Sequence, residues 1–283
     1  MSKNKVMLTK RERKRQNIAI AVMFLFILPV AVMFASFFLM AFFKDGHLSL
    51  ENFEFVIRPM KLRDQTTIPA IGKALRNSVI FTVCVTIMEV ITSLMAGYAL
   101  SRLDFRGRKI IQGGLLVLRM FPTLLLLIAV LYVLMATKMA NSLLGVVLVA
   151  ISFRLPGSTY IIKNFFDGIP RDIENSTLVD GCTRFSGFRQ VIIHLVKPGI
   201  VSITVFSFLS AWSNFILFNT LLFGNRTPVM ATYIRAITRN EQMIASFNVV
   251  AAMGIIYMLP VLVFFVMTQK QLMEGNINTS KGL

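Results

Sequence analysis

Residues 77–109 read NSVIFTVCVTIMEVITSLMAGYALSRLDFRGRK. From Ser78 to Leu100 the run is apolar apart from Glu89 and a scatter of hydroxyls, and its length matches the ~20 residues that carry a helix across a hydrocarbon core. It ends in Arg102, Arg106, Arg108 and Lys109, a short basic exit of the kind that stays on the cytoplasmic side. One crossing is therefore readable from this stretch alone.

The rest of the chain repeats the pattern. Of its 283 residues 55% are hydrophobic and only 15% charged, with mean hydropathy +0.70. A water-soluble domain of this size needs more polar surface, whereas lipid lets apolar side chains face outward. Spans are expected at about 18–43, 78–100, 112–136, 142–162, 200–222 and 249–268, six in all. This divides the chain into a basic tail (1–16), a transmembrane domain (17–270) and a short second tail (271–283).

The formal charge of +17 invites a nucleic-acid reading, because basic surfaces neutralise phosphates. The placement of the charges points to the lipid bilayer instead. With the amino terminus inside, cytoplasmic segments hold 18 Lys and Arg and external ones 10, in the sense of the positive-inside rule. The first apolar run exceeds the roughly 7–15 residues of a signal-peptide core and lacks a clear cleavage site, so it reads as a retained span. Cys84 and Cys182 lie at different depths and read as packing residues. His47 and His194 fall on opposite sides of the membrane, and neither metal-ligand spacing nor a nucleophile with its base stands out, so an enzyme is disfavoured.

The cytoplasmic connection 163–197 is the longest, with two helix-like pieces, Asp172–Asp180 and Arg184–His194, on either side of Gly181. Loops of this length are usually functional. Gly181 suits a sharp bend, and Pro170 and Pro198 punctuate the ends. Two readings stay open: a hairpin projecting for a partner, or one lying flat on the membrane with its charges solvated.

In this loop, IPRDIENSTLVDGCTRFSGFRQVIIHLVKPGI (169–200) resembles the signature of bacterial ABC-importer inner-membrane permeases, Glu-Ala-Ala, three residues, Gly, nine residues, Ile-x-Leu-Pro. Gly181 takes the glycine position, and Val191, Ile193 and His194 take those of Ile, Leu and Pro. Asn175, Ser176 and Thr177 replace Glu-Ala-Ala, with a carboxylate one residue earlier at Glu174. Segments 77–108, MFP (120–122), RLPGSTYIIKNFFDGIP (154–170), AWSNFILF (211–218) and KQLMEGNINTSKGL (270–283) follow the family pattern in order. The likeness is to the carbohydrate-uptake subfamily, and within it to the smaller maltose-type subunit.

The resemblance implies an all-α, type I ABC-importer permease fold in a bacterial cytoplasmic membrane, forming half of a pathway for a sugar or oligosaccharide. It implies a second permease subunit, two copies of a cytoplasmic ATPase and an extracytoplasmic solute-binding protein. The loop would be the coupling helix, with Glu174, Asn175, Ser176, Thr177, Leu178, Asp180 and Gly181 at the ATPase. Leu178, Val179 and Phe185 could enter a groove there while Glu174, Asp180 and Arg184 orient its rim. No phosphate-binding Gly-x-x-x-x-Gly-Lys-Ser/Thr motif occurs in the sequence, so ATP and Mg would belong to the partner and the chain itself would need no cofactor.

Three ionisable residues fall inside spans: Glu89, Arg119 and Arg154. Each needs a partner, a wet path or a bundle-facing site. Helical rise makes a Glu89–Arg154 pair feasible, while Arg119 could snorkel or reach Glu89 itself. Glu89 as a proton relay gives the alternative class, a proton-coupled secondary transporter, although no internal repeat is visible. The run AWSNFILFNT (211–220) holds the single Trp, and Trp212, Asn214 and Asn219 could line a sugar path on one helix face; packing and helix tying are the plainer reading. The external segment 223–248 could meet a binding protein.

Overall fold

The computed structural model describes residues 10–44, 46–61, 67–223, 227–238 and 247–280. Most of them are helical. In order come α1 (Lys10–Phe42), α2 (Gly72–Arg102), α3 (Arg108–Met120), α4 (Thr123–Ala136), α5 (Leu143–Asp167), α6 (Arg171–Val179), α7 (Arg184–Gly187) and α8 (Ile193–Leu195). They continue with α9 (Lys197–Trp212), α10 (Phe215–Leu221), α11 (Met230–Thr238) and α12 (Phe247–Ser280). Between α1 and α2 two antiparallel ribbons of two-residue strands, Phe43–Lys44 with His47–Leu48 and Met60–Lys61 with Thr67–Ile68, flank a 3-10 turn at Glu51–Val56.

Four of the described helices, α1, α2, α5 and α12, are long and apolar enough to cross a bilayer, and six crossings result when two bent pairs each count as one. The first bent pair corrects the expected continuous helix over 112–136. α3 and α4 meet at 103° because Pro122 disfavours helical backbone at the preceding residue, and Phe121 is accordingly extended at φ −74°, ψ 131°. The second pair, Arg184–Leu195 with α9, turns by 74° at Val196, just before Pro198 in the first turn of α9.

Two further boundaries move. α5 runs to Asp167 rather than stopping at 162, so the connection to α9 begins at Gly168. The expected span 200–222 breaks at Ser213–Asn214: Asn214 leaves helical geometry and its side-chain oxygen accepts from Leu217 N at 3.2 Å, capping a new helix.

α2 packs most extensively on α5 and then on α9, while α1 leans on α12. Their buried residues form three apolar clusters. One, with Phe81, Val146 and Phe218, joins α2, α4, α5 and α10. A second, with Phe55, Trp212 and Met253, joins α12 to the ends of α1 and α2 and to α11. The third, with Ile162, Phe166 and Ile192, lies where the connection after α5 folds back on α5 and α9. Elsewhere long apolar side chains face outward, as on α1, where Phe24, Leu25 and Phe26 are all more than 60% exposed, consistent with lipid as the surrounding medium.

Candidate functional site

The connection between α5 and α9 folds into a hairpin. α6 starts after Pro170, whose φ of −55° suits the entry to a helix. At the far end Cys182 N–H donates to Thr177 O at 3.0 Å and Gly181 N–H donates to Leu178 O at 3.1 Å. This crossed pair is a Schellman closure, which needs a left-handed residue, and Gly181 supplies it at φ +83°. The second piece opens with Thr183, whose Oγ1 accepts from Ser186 N at 3.2 Å, and continues through a π turn at Phe188–Ile192 into α8. The pieces touch where Gly187 meets Thr177. A Cβ on Gly187 would sit 2.5 Å from Thr177 Oγ1, so a larger residue there would push them apart.

Glu174 is turned inward. Its Oε1 accepts from Tyr98 Oη at 2.6 Å, and its Oε2 lies 3.2 Å from Arg102 Nε, with side-chain exposures of 14% and 4%. Arg102 Nε lacks a directed hydrogen bond, so this contact is an ion pair of imperfect alignment. Arg102 Nη2 donates to the carbonyls of Phe166, in the last turn of α5, and Ile169, just beyond it, both at 2.8 Å. Four segments therefore meet at one guanidinium. A Glu174 that reached outward to replace the absent family glutamate would first have to leave this pair.

The outward face of the hairpin is apolar at its tip. Val179 is 87% exposed and Phe185 75%, with Leu178 beside them at 37%, so these side chains do not pack the loop upon itself. Asn175, Ser176 and Asp180 are exposed as well, whereas Thr177 is buried. Leu178, Asn175, Arg171 and Arg184 border a groove of about 720 Å³ against the exit of α2.

Within the membrane-spanning part, Glu89 has no exposed surface. It accepts from Arg154 Nε at 2.8 Å and Ser207 Oγ at 2.7 Å, and Ser158 Oγ donates to its other oxygen. One carboxylate thus joins α2, α5 and α9. Arg154 Nη2 donates to Phe206 O at 3.0 Å. Arg119 does not reach Glu89; its Nε lies 3.8 Å from the position a Cβ would occupy on Gly157. Arg119, Arg154, Ser158, Ser210, Asn214 and Thr123 are among the residues lining a cavity of about 510 Å³ between α3–α4, α5 and α9–α10.

The expected path residues do not share a face. Trp212 is 3% exposed; its Nε1 donates to Tyr257 O at 3.0 Å while Tyr257 Oη donates back to Trp212 O at 2.8 Å, tying α9 to α12. Asn214 alone of the three reaches the cavity, and Asn219 Oδ1 is buried without a hydrogen-bond partner among the described residues. The break at Ser213–Asn214 rotates what a continuous helix would have aligned. In the external segment, Arg226, Arg239 and Glu241 lie outside the described residues, and Arg235 sits on α11. Cys84 is exposed on α2 and Cys182 half-buried, both as free thiols.

Several residues of these sites escaped the sequence reading. Arg102 was legible only as a topogenic charge. Ser158 stands four residues after Arg154, a same-face spacing that could have flagged it; Ser207 and Tyr98 carry no such signal.

Residues 89–271 match the family of binding-protein-dependent transport system inner membrane components. The chain belongs to that family. This permease is 28% identical to the diacetylchitobiose uptake system permease protein DasC of Streptomyces coelicolor, over 92% of its own length and 93% of the relative's. It is 30% identical to the trehalose transport system permease protein SugB of Mycobacterium tuberculosis, over 72% and 74%. A crystal structure of a bacterial ABC transporter for import of the acidic polysaccharide alginate superposes with a TM-score of 0.75 at 16% identity, covering 93% of this permease and 98% of that chain. The fold is that of a type I importer permease, all-α and multi-pass.

Glu89→Leu removes the buried carboxylate that answers Arg154 and is expected to cost about 3–5 kcal/mol, whereas Glu89→Leu with Arg154→Leu recovers most of it; thermal melts of the purified permease in detergent compare the two. Gly181→Ala places a Cβ on left-handed backbone at about 1–2 kcal/mol. It should raise amide exchange in 171–195 while leaving α2 protected, as read by hydrogen exchange.

Proposed function

We propose that this permease forms half of the translocation pathway of an ATP-driven importer for a sugar or oligosaccharide. The observation that carries the coupling part is the Schellman-closed hairpin, stiff in itself, braced through Glu174 and Arg102 to α2 and α5, and presenting Leu178, Val179 and Phe185 outward. A contiguous apolar tip outside the membrane favours a protein partner. The sequence holds no phosphate loop, so ATP and Mg belong to that partner, an ATPase present in two copies. Leu178, Val179 and Phe185 enter its groove, with Asn175, Ser176 and Asp180 at the rim; Glu174, Thr177 and Gly181 shape the hairpin from within.

A second permease subunit closes the other half of the pathway, and a solute-binding protein delivers substrate from outside. A relative of known structure was crystallised with its alginate pentasaccharide-bound periplasmic protein, which supports such a partner. The sugar assignment draws on relatives named for diacetylchitobiose and trehalose transport. The excess of Lys and Arg in alternate connections supports a cytoplasmic amino terminus, and the bacterial relatives support a bacterial membrane. The proton-coupled alternative has no support in these relatives, and the Glu89 carboxylate is occupied by Arg154 and two serines.

In the assembled importer, Leu178→Asp with Val179→Asp is expected to lower substrate-stimulated ATP hydrolysis at least about tenfold, a loss on the scale of an interface hot spot. Turnover at the unmodified rate would remove the coupling role. Uptake into vesicles should persist with a protonophore when ATP is supplied; its abolition at constant ATP would reinstate proton coupling.

A further inference from the structure

The cavity between α3–α4, α5 and α9–α10 carries more positive charge than its surroundings return. Arg119 and Arg154 are the ionisable residues that line it. Arg154 is neutralised from behind by Glu89. Arg119 makes no hydrogen bond or ion pair among the described residues, and it lies against Gly157, one helical turn along α5 from Arg154. A cation within a spanning bundle is costly unless water or an anion answers it, and two guanidiniums lining one cavity from α3 and α5 raise that cost.

Guanidinium is donor only. Ser158 gives its hydroxyl proton to Glu89, while Asn214, whose oxygen accepts from Leu217 N, has its amide N–H₂ left to donate, and Thr123 and Ser210 add hydroxyls to the lining. Arg154 uses Nε and Nη2 inside the protein and keeps Nη1 free. Phe121, Phe153 and Phe206 supply apolar surface beside these donors. A volume of about 510 Å³ is sufficient for a small-molecule site.

We propose that this cavity binds the acidic group of an anionic saccharide in transit, Arg119 taking the carboxylate or sulfonate and Arg154 Nη1 and the Asn214 amide taking neighbouring oxygens. Glu89 is then a positioning residue that aims the Arg154 fork. The inference rests on the sugar-importer reading and narrows it to acidic substrates.

The test uses the complete importer, purified with its partner subunits and binding protein. Two radiolabelled probes, a glucuronic-acid disaccharide and its neutral glucose counterpart, are compared by equilibrium dialysis and by ATP-driven uptake in proteoliposomes. Binding of the acidic probe should exceed that of the neutral one at least about tenfold, as charge-assisted pairing requires. Arg119→Gln should abolish the difference, and Arg119→Lys should restore part of it. Equal or better binding of the neutral probe overturns the proposal, as does a preference unchanged in Arg119→Gln or no binding of either; a carboxylate contributed by the second permease subunit would produce the first of these. The importer reading is judged separately, since it fails only if the binding protein does not stimulate ATP hydrolysis by the complex.

Discussion

A carboxylate held away from all solvent at the meeting of three helices is the constraint on which this fold turns. Glu89 is answered there by Arg154, and neither can be satisfied unless α2, α5 and α9 stand at one relative height and rotation. Lipid supplies no hydrophobic drive between helices, so registration must come from close packing and such polar contacts. Ser158 and Ser207 complete the shell around the carboxylate, and the aliphatic clusters fill the space that this registration leaves.

The end of α2 repeats the scheme in reverse sign. There the dry ion is a guanidinium, Arg102, which gathers Glu174 from the hairpin and the carbonyls of Phe166 and Ile169. The two sites lie 13 residues apart on α2, one near its middle and one at its end, so the most extensive helix pair is pinned twice. The hairpin is thereby fastened to the membrane-spanning part by an ion pair and a tyrosine hydroxyl, and its apolar tip is left free of internal work.

Much of the architecture was legible because lipid imposes a length on every crossing, and the apolar runs 78–100 and 249–268 carry that length openly. The breaks were less so. Phe121–Pro122 sits inside a run whose hydropathy is continuous, and hydropathy does not report backbone geometry; the proline did. Trp212 and Asn219 were aligned on the assumption of an unbroken helix, which the Asn214 cap removes. The inward turn of Glu174 depends on Arg102 and Tyr98, more than seventy residues away, and no local pattern holds that information. The pairing of Glu89 was approachable because helical rise alone brings two charges to similar depth.

Pinning α2 at both sites also gives it a mechanical character. Its 31 residues make a rod about 46 Å long, with Glu89 about 26 Å from its first residue and about 20 Å from its last. The hairpin grips this rod close to Arg102. A short stroke delivered there, tilting the rod by about 10° about Glu89, would move the opposite end by about 4 Å the other way, with Glu89 near the fulcrum where movement is least.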